Sequence, residues 1–329
     1  MPAPIARWSP TTVFEKILNK SLGISFSSNN IYFTELLNDS GMPKLENAES
    51  VKVDFDFEEE LGRHKSNQKE LTNISGEIGT YVTKRNLSQA SVSLSIGTSQ
   101  AFLITLPIDF SEGRQTINKN IYWELSNYFP DNYNDFVINT YRLNNVLPSK
   151  NSDEFLIIAV KKNTIEFIKR IFKVCNLNLA LVDIDHFSAE YCIRKSYENS
   201  LEGKKAVLVG LKKNRIDYGY IDNKKYKFYA YSKYNSESEL KLGISRKLSS
   251  LFLNHPLSEG VDTIYVYGED IKEDVLDTIR KLDNAPVEIV NPFGGIKAAE
   301  LFLKDENLRK NSYRYAASCG AALRNIPQN

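Results

Sequence analysis

Two segments of the chain alternate apolar and polar positions on either side of a short polar turn. In the first, strand-like residues 22–36 are interrupted by the turn 27–30, and in the second, residues 206–221 are interrupted by the turn 212–215. A period of two is that of a β-strand, and serine, asparagine and charged residues favour the turn between two strands. Each segment therefore predicts a β-hairpin.

Other stretches show either the strand period or the helix period. Short alternating or apolar runs predict strands over residues 51–57, 92–96, 101–106, 136–143, 155–160, 179–184, 226–231, 263–267 and 287–290. Apolar residues spaced by three and four predict helices over residues 11–20, 71–82, 117–128, 165–175, 240–253 and 271–282. The chain is therefore a mixed α/β protein.

Three of these segments predict specific local features. The alternation is most regular over residues 51–57, which predicts one continuous strand. Pro107 is expected to end the strand that precedes it, since proline cannot donate a ladder hydrogen bond. The order of strand 155–160, helix 165–175 and strand 179–184 predicts a βαβ unit.

The two halves of the chain repeat the same order of elements. Each opens with strand, polar turn and strand, adds a third strand, and later alternates helix with strand. Polar residues 197–204 separate the halves and predict a boundary. We expect an internally duplicated protein with a tail and short helix over residues 1–20, a first lobe over 21–200, a second lobe over 201–329, and a cleft between the lobes.

Composition narrows the class of protein. The 329 residues include 42 Lys and Arg against 41 Asp and Glu, a formal net charge of +1. This balance argues against a strongly basic nucleic-acid binder and against an acidic disordered protein. Cys175, Cys192 and Cys319 are far apart and form no C-x-x-C pair, so neither a disulfide framework nor a structural zinc site is expected.

The sequence also carries expectations about compartment. Scarce cysteines suit a reducing environment. No apolar run approaches the roughly 18–20 residues of a membrane span, and Trp8, Pro10 and Glu15 interrupt any signal-peptide core. We expect a cytoplasmic protein whose apolar helix stripe over residues 11–20 packs on its body. A membrane-surface role for that stripe is the alternative, although its two lysines make a poor basic face.

Common catalytic signatures are absent from the sequence. It contains no P-loop, dinucleotide-binding, nucleophile-elbow or H-E-x-x-H pattern. His64, His186 and His255 are isolated in sequence, and we interpret them as surface or capping residues in preference to catalytic ones.

Short polar clusters have a structural and a functional interpretation. The run from Asp183 to His186 has the composition of a metal cluster, but Asp185 is placed to cap the following helix, and we favour capping. The pairs Lys161-Lys162 and Lys212-Lys213 are interpreted as solvated turn lysines. The turn 291–295 contains two glycines and would bring backbone close to a ligand or to a neighbouring element.

Several motifs follow one another in a fixed order over about residues 20–325. They are Leu22–Ile31, Leu106-Pro107 with Trp123-Glu124-Leu125 and Tyr128-Phe129-Pro130, Phe155–Val160, Leu181–Phe187, Val290–Phe293 and Tyr315–Arg324. In this order and spacing they resemble the type IV pilus assembly protein PilM and, more loosely, the cell-division protein FtsA. Both have the actin-like ATPase superfold.

The resemblance implies an architecture and a site. The architecture is a ribonuclease H-like duplicated α/β fold with two lobes around a cleft, a subdomain inserted in the first lobe over about residues 100–150, and a C-terminal segment, about 310–329, that packs back on the first lobe. The site is a vestigial nucleotide site, whose matching positions are Ser25, Ser27, Ser28, Asn29, Gly210, Lys212 and Gly268.

These positions depart from the pattern of the family's ATPases. The family places Asp-x-Gly in each hairpin, whereas Ser25 and Ser27 stand in the first, and Gly210 and Lys212 in the second. The carboxylates orient the metal ion and the attacking water, and the glycines admit phosphate to backbone N–H groups. Of the family's later glycine cluster only Gly268 remains. The departures predict loss of hydrolysis.

Polar residues of the two hairpins keep the chemistry to bind a phosphate. Ser27, Ser28 and Asn29 could still bond one, and Lys212 could pair with one. Glu269 and Asp270, in contrast, would bring negative charge towards a nucleotide. We expect no catalytic residue, no resident metal and no cofactor, with ATP and magnesium as the alternative.

By resemblance, the expected function is that of a non-catalytic actin-like scaffold in a type IV pilus or related secretion machine. It would bind the cytoplasmic tail of a PilN-like inner-membrane protein, form a homo-oligomer, and reach the membrane only through its partner, without binding nucleic acid. Two alternatives remain: a divergent actin-fold ATP-binding protein or ATPase with a rebuilt site, and a GspL-like cytoplasmic component of a type II secretion system. The polar sequence end, residues 324–329, argues against an FtsA-like amphipathic anchor.

Overall fold

The computed structural model describes residues 6–7, 20–39, 41–61, 68–109, 113–143, 152–254, 260–269, 271–298 and 305–326. Its strands are Ala6–Arg7 (β1), Lys20–Ser27 (β2), Asn30–Asp39 (β3), Met42–Lys52 (β4), Ser91–Ile96 (β5), Ala101–Asp109 (β6), Phe136–Leu143 (β7), Ser152–Lys161 (β8), Leu179–Ile184 (β9), Lys205–Lys212 (β10), Arg215–Asp222 (β11), Lys225–Lys233 (β12), Thr263–Gly268 (β13), Val287–Ile289 (β14) and Lys297–Ala298 (β15). Its helices are Gln68–Arg85 (α1), Arg114–Tyr128 (α2), Lys162–Val174 (α3), Asp185–Ser196 (α4), Glu237–Asn254 (α5), Glu273–Arg280 (α6), Glu306–Lys310 (α7) and Ala316–Leu323 (α8).

The two large sheets repeat one strand order. The first sheet runs β1-β9-β5-β2-β3-β4-β15 and the second β12-β11-β10-β13-β14. In each, an antiparallel three-strand unit (β4-β3-β2 or β12-β11-β10) continues into two parallel strands (β5-β9 or β13-β14). This repeat confirms the predicted duplicated α/β fold. We refer to the two halves as the first and second lobes.

Both predicted hairpins form, and each ends in a two-residue turn. Ser28 and Asn29 form the turn between β2 and β3, and Lys213 and Asn214 form the turn between β10 and β11. One residue in each turn has positive φ, Ser28 at 50° and Asn214 at 60°. Tight hairpin turns need such left-handed residues, and polar side chains tolerate them better than branched apolar ones.

A smaller antiparallel sheet, β6-β8-β7, forms the inserted subdomain. Helix α2 covers it, burying Ile121 and Leu125 against Phe136, Phe155 and Ile157. Helix α3 then leads from β8 back to β9 of the first sheet, packing beside α1. The insert therefore has a small core of its own.

Helix α8 packs back against the first lobe at very short range. A side chain at Gly23 in β2 would overlap the carbonyl oxygen of Ser318, and one at Gly320 would overlap the carbonyl oxygen of Ser188 in α4. Ser21 Oγ donates to the carbonyl of Ala322 at 2.7 Å. The glycines let α8 lie directly on β2 and α4, the helix whose first residues reach the cleft.

The strand predicted over residues 51–57 is wrong beyond Lys52, where β4 ends. The chain there crosses the tip of the first hairpin: the N–H of Val53 donates to the carbonyl of Asn29, and that of Phe57 to the carbonyl of Ser28, each at 2.8 Å. The alternating burial of Val53 and Phe57 with polar neighbours persists without a strand partner. The alternating burial of this segment therefore comes from its packing across the hairpin tip and not from strand pairing.

Two further local predictions are wrong. β6 continues through Pro107 to Asp109, since β6 lies at the edge of its sheet, where a residue without an N–H is tolerated. The predicted βαβ unit does not form, because β8 and β9 belong to different sheets. Residues 11–19 of the predicted N-terminal helix, together with His64, His255 and Asp270, lie outside the described residues. None of the described helices is long and apolar enough to cross a membrane.

Candidate functional site

The tips of both hairpins meet at the cleft between the lobes. A cavity of about 530 Å³ opens there, and its lining includes Ser28 and Asn29 from the first hairpin, Lys212 from the second, and Glu237, Glu269 and Lys272 from the second lobe. The other predicted site residues lie deeper: Ser25 and Ser27 are buried in β2, and Gly210 and Gly268 lie within β10 and at the end of β13. The structure thus brings three of the seven predicted residues to one open space.

Lys212 forms a buried ion pair with Asp185 across the cleft. Its Nζ lies 2.9 Å from Oδ2 of Asp185, and the two side chains are 7% and 1% exposed. Burial alone would lower the pKa of Lys212, but the Asp185 carboxylate outweighs it and holds that pKa above its usual range. The prediction of a solvated turn lysine is therefore wrong for Lys212, whereas Lys213 is exposed and pairs with Asp56 at 2.5 Å.

Asp185 does not cap helix α4 as predicted. It is the first residue of the helix, whereas the N-cap residue is Ile184, which makes no side-chain capping hydrogen bond. Its Oδ1 instead accepts the backbone N–H of Thr98 at 3.1 Å, the hydroxyl of Thr98 at 2.7 Å and the N–H of His186 at 2.7 Å. Although burial alone would raise the pKa of Asp185, the Lys212 ammonium outweighs it and holds the pKa below its usual range. Asp185 is thus an ionised acceptor at the floor of the cleft.

A second buried charge pair adjoins the first. Arg215 Nε donates to Oδ1 of Asp217 at 3.0 Å and its Nη2 to the hydroxyl of Tyr229 at 2.6 Å, while that hydroxyl also bonds Asp217 at 2.6 Å. Thr98 Oγ1 lies 3.2 Å from Oδ2 of Asp217 and so links the two pairs. Sequence reasoning missed Arg215 and Asp217. Their signal was two charged residues at i and i+2 on one face of an otherwise apolar strand.

His186 is buried between the lobes, so its interpretation as a surface or capping residue is wrong. Its Nδ1 lies 2.6 Å from the hydroxyl of Tyr267 and its Nε2 lies 2.9 Å from that of Tyr226. The ring fits because Gly219 opposite it has no side chain: a Cβ there would lie 2.9 Å from Nε2. Burial lowers the pKa of His186 to about 4, which keeps the imidazole neutral near pH 7, with one nitrogen donating and the other accepting.

Glu58 places a third carboxyl group beside the cleft floor. It follows the segment that crosses the first hairpin, and it accepts a very short hydrogen bond from Ser99 Oγ. Burial, followed by the nearby charge of Asp185, raises the pKa of Glu58 to about 7. Its carboxyl group also occupies the space that a side chain at Gly97 would take. The highly charged stretch 58–70 gave no sign that this one glutamate turns inward.

The first hairpin is bridged to the second lobe by Glu269. Ser28 Oγ donates to Oε2 of Glu269 at 2.6 Å, and the Tyr32 hydroxyl lies 3.2 Å from Oε1. Burial raises the pKa of Tyr32, and Glu269 adds to that shift, so the phenol stays protonated and donates. The acidic residue that was expected near a nucleotide therefore lies in the cleft, where it holds the serine hairpin.

Packing accounts for the two glycines of the predicted site. A Cβ at Gly210 would lie 2.6 Å from the Tyr267 hydroxyl, and Gly268 has a φ of 118° directly against the carbonyl of Leu211. The turn 291–295 likewise brings backbone close to a neighbouring element, as predicted: a Cβ at Gly295 would lie 2.7 Å from the Cα of Ser196. Because these glycines have no side chain, they leave room for neighbouring atoms of the protein itself.

The chemistry of the cleft is that of a neutralised network. Asp185 and Asp217 each have a cation within 3.0 Å, and among the described residues no three His, Cys, Asp or Glu side chains are placed to hold a metal ion. Carboxylates are present after all, although the hairpin positions of the family pattern lack them. They come from the start of α4, from β11 and from the segment after β4.

Comparison with known proteins places this geometry in a fold. No protein-family model matches the chain, and no curated protein matches it by sequence. Among solved structures, a chain of the "PilM-PilN type IV pilus biogenesis complex" matches at 12% identity and a TM-score of 0.71, over 93% of this chain and 98% of that one. The chain has the actin-like fold.

A second solved structure agrees with that assignment. A Bacteroides thetaiotaomicron protein described as having an actin-like ATPase fold and unknown function matches at 12% identity and a TM-score of 0.51, over 86% of this chain and 95% of that one. The cytoplasmic domain of EpsL, an inner-membrane component of the type II secretion system of Vibrio cholerae, matches at 12% identity and a TM-score of 0.46, over 80% and 94%. The actin-like fold and the likeness to PilM expected from the sequence motifs are confirmed.

Proposed function

We propose that this protein is a non-catalytic actin-like component of a type IV pilus or related secretion machine, and that it binds the cytoplasmic tail of a PilN-like inner-membrane protein. One observation carries the proposal: the fold matches a chain of the PilM-PilN complex over nearly the whole length of both chains. The cleft adds support, because the charged groups of Lys212 and Glu269 already have partners within the protein. The protein would sit at the cytoplasmic side of the inner membrane through this partner.

A pocket beside the insert offers a place for an extended tail. Its volume is about 520 Å³, and its apolar lining includes Phe102, Leu103, Phe129 and Phe136. These residues belong to the start of β6 and to the loop and strand that follow α2. β6 is an edge strand, so a peptide can add backbone hydrogen bonds along it while burying alternate apolar side chains in the pocket. Affinity would come from this burial.

The test begins with capture of inner-membrane proteins of the same organism on the purified chain, identified by mass spectrometry. We expect a pilus or secretion protein, and binding of its synthetic cytoplasmic tail by calorimetry. Phe102→Asp should weaken that binding tenfold or more, since a charge replaces an apolar wall of the pocket. Ile289→Asp, at an exposed apolar position of β14, is the matched control. Recovery of no such protein would refute the proposal, and equal binding by both variants would refute the pocket.

Homo-oligomer formation is part of the same proposal. A purified chain that forms a ring or another homo-oligomer should show a mass several times 37.5 kDa by light scattering. A monomer at all accessible concentrations, with and without the captured tail, would remove this part and leave tail binding untouched.

A second candidate function is nucleotide binding at a rebuilt site, and the cavity of about 530 Å³ at the hairpin tips favours it. Against it, the Lys212 ammonium is already paired, and Glu269 would repel phosphate. Mg-ATP at a hundredfold excess over its Kd would stabilise the protein by about 2.7 kcal/mol, a rise of several degrees in Tm. We expect no rise. The identity of the captured partner distinguishes the proposed function from the GspL-like alternative.

A further inference from the structure

Polar contacts join the two lobes across the whole floor of the cleft. Each contact pairs a first-lobe side chain with a second-lobe side chain. They are Asp185 with Lys212 at 2.9 Å, Thr98 with Asp217 at 3.2 Å, His186 with Tyr267 at 2.6 Å and with Tyr226 at 2.9 Å, and Ser28 with Glu269 at 2.6 Å. All of these contacts are made by the chain itself.

Lys212 is the cation among these contacts, and it enters the cleft from the end of the second hairpin. It is the last residue of β10 and pairs directly with Arg215 in the hairpin register. A lysine at such a position ordinarily keeps its ammonium in water. Here the side chain turns inward to the first residue of α4, and the pair is almost fully buried. The interaction of two charges is stronger at such a site than at a wet surface.

We propose that Lys212 is an internal latch: its ion pair with Asp185 holds the two lobes closed, so that closure of this cleft is set by the protein's own side chains and needs no bound nucleotide. The proposal does not depend on the identity of the partner. It assigns Lys212 a conformational role in place of the phosphate-binding role considered from the sequence.

The local charge balance explains why removing the ammonium should open the cleft. Glu58, Asp185 and Asp217 gather at the floor, opposite Lys212 and Arg215. Without Lys212, the buried cation beside Asp185 and Asp217 would be Arg215, and Glu58 would keep only a more distant interaction with the exposed Lys213. A buried carboxylate without a partner gains most by reaching water, which it can do when the lobes separate.

The latch also fixes a surface outside the cleft. Lys213 and Asn214, which follow Lys212, line both the cleft cavity and the pocket beside the insert, and Arg215 lines that pocket. Arg215 lies over the ring of Tyr231, 4.2 Å from its centroid, at the wall of that pocket. Release of Lys212 would therefore loosen one wall of the pocket.

The experiment measures the distance between the lobes. Spin labels are attached at Lys84→Cys in α1 and Arg280→Cys in α6, both exposed, in a Cys175→Ser background. Pulsed electron paramagnetic resonance should give one narrow distribution of label-to-label distances for the protein without a cleft substitution. Mg-ATP should leave that distribution unchanged. Lys212→Met should give a longer or broader distribution, and Lys212→Arg, which keeps the charge, should restore the narrow one.

Matched controls decide between a latch and a general loss of stability. Lys204→Met makes the same substitution in an exposed lysine that pairs with Asp262 inside the second lobe, and it should leave the distance unchanged. If Lys212→Met does not fold, the double variant Lys212→Met with Asp185→Asn removes both charges and should fold with a broadened distance. A distribution identical to the unmutated one in Lys212→Met or in the double variant would overturn the proposal. So would narrowing of the unmutated protein only on addition of Mg-ATP.

Discussion

The two hairpins at the cleft share a backbone and differ in chemistry. Both have two-residue turns with one left-handed residue, and both lie at corresponding positions in the two sheets. The first presents small neutral side chains, of which Ser28 reaches across to Glu269. The second presents Lys212 and Arg215, both buried and both paired with carboxylates.

This difference shows that a duplicated fold fixes the backbone of its two hairpins and leaves the side chains at their tips free to differ. Strand pairing fixes the backbone of each hairpin, because one shifted residue would turn every side chain to the wrong face. The residues at the tips carry no such constraint. At the cleft, the second hairpin contributes a buried ion pair between the lobes, Lys212 with Asp185, and the first contributes a neutral hydrogen-bond donor to Glu269.

Asp185→Asn should cause the largest loss of stability, since it removes the negative charge that pairs with Lys212 of the second hairpin. The amide keeps the oxygen that accepts from Thr98, but its NH₂ group would face the Lys212 ammonium, donor against donor. Leaving a buried charge unpaired costs about 3–5 kcal/mol. Urea unfolding monitored by circular dichroism measures the loss, with Asp262→Asn as the same change in an exposed pair, expected to cost about 1 kcal/mol or less. Equal losses in the two variants would show that burial of the pair is energetically irrelevant.

The next effect concerns pH, where two groups at the cleft act in opposite directions. The folded pKa of His186, about 4, lies below the value of about 6.5 expected in the unfolded chain, so stability is lost as pH falls below about 6.5. The folded pKa of Glu58, about 7, lies above its unfolded value of about 4.3, so this group adds stability over the same fall. Asp185 stays ionised in this range, because Lys212 outweighs the effect of burial on its pKa.

Variants should separate the two contributions. Between pH 6.5 and 5, His186 contributes a loss of about 2 kcal/mol, and the half-buried Glu58 a smaller gain of about 1 kcal/mol. The unmutated protein should therefore lose about 1 kcal/mol over this range. Glu58→Gln should lose about 2 kcal/mol over this range and His186→Gln should gain about 1 kcal/mol, both measured by urea unfolding at each pH. Parallel pH curves for the two variants would contradict the assignment.

The backbone of the cleft could be predicted from the sequence, and its contacts could not. Both hairpins followed from a period of two around polar turns, which depends only on local residues. The inward course of Lys212 depends on Asp185 on another element, 27 positions earlier in the chain. His186 is similar: isolated in sequence, it is buried because Gly219 and two tyrosine hydroxyls of the second lobe receive it.

The first hairpin provides the third prediction. Ser28→Ala removes one neutral donor from Glu269 and leaves Tyr32 in place, so we expect a loss of about 1 kcal/mol. Ser126→Ala, in which an exposed hydroxyl bonds the carbonyl of Trp123 within α2, is the control and should change stability by less than about 0.5 kcal/mol. A loss in Ser28→Ala larger than that in Asp185→Asn would move the main closing contact to the first hairpin.

The smallest effect should come from Lys213, the neighbour of the latch lysine. Its ion pair with Asp56 also joins the lobes, at 2.5 Å, but Lys213 is 41% exposed. Water screens such a pair, and the side chains lose entropy in holding it, so Lys213→Met should cost only about 0.2–1 kcal/mol. A double-mutant cycle with Asp56→Asn measures the pair, and its coupling should vanish near 1 M salt, where the screening length falls to about 3 Å. If the coupling matched that of Lys212 with Asp185, proximity alone would account for both pairs. A small, salt-sensitive coupling would show that the buried Lys212, and not the adjacent exposed Lys213, supplies the energy that holds the lobes together.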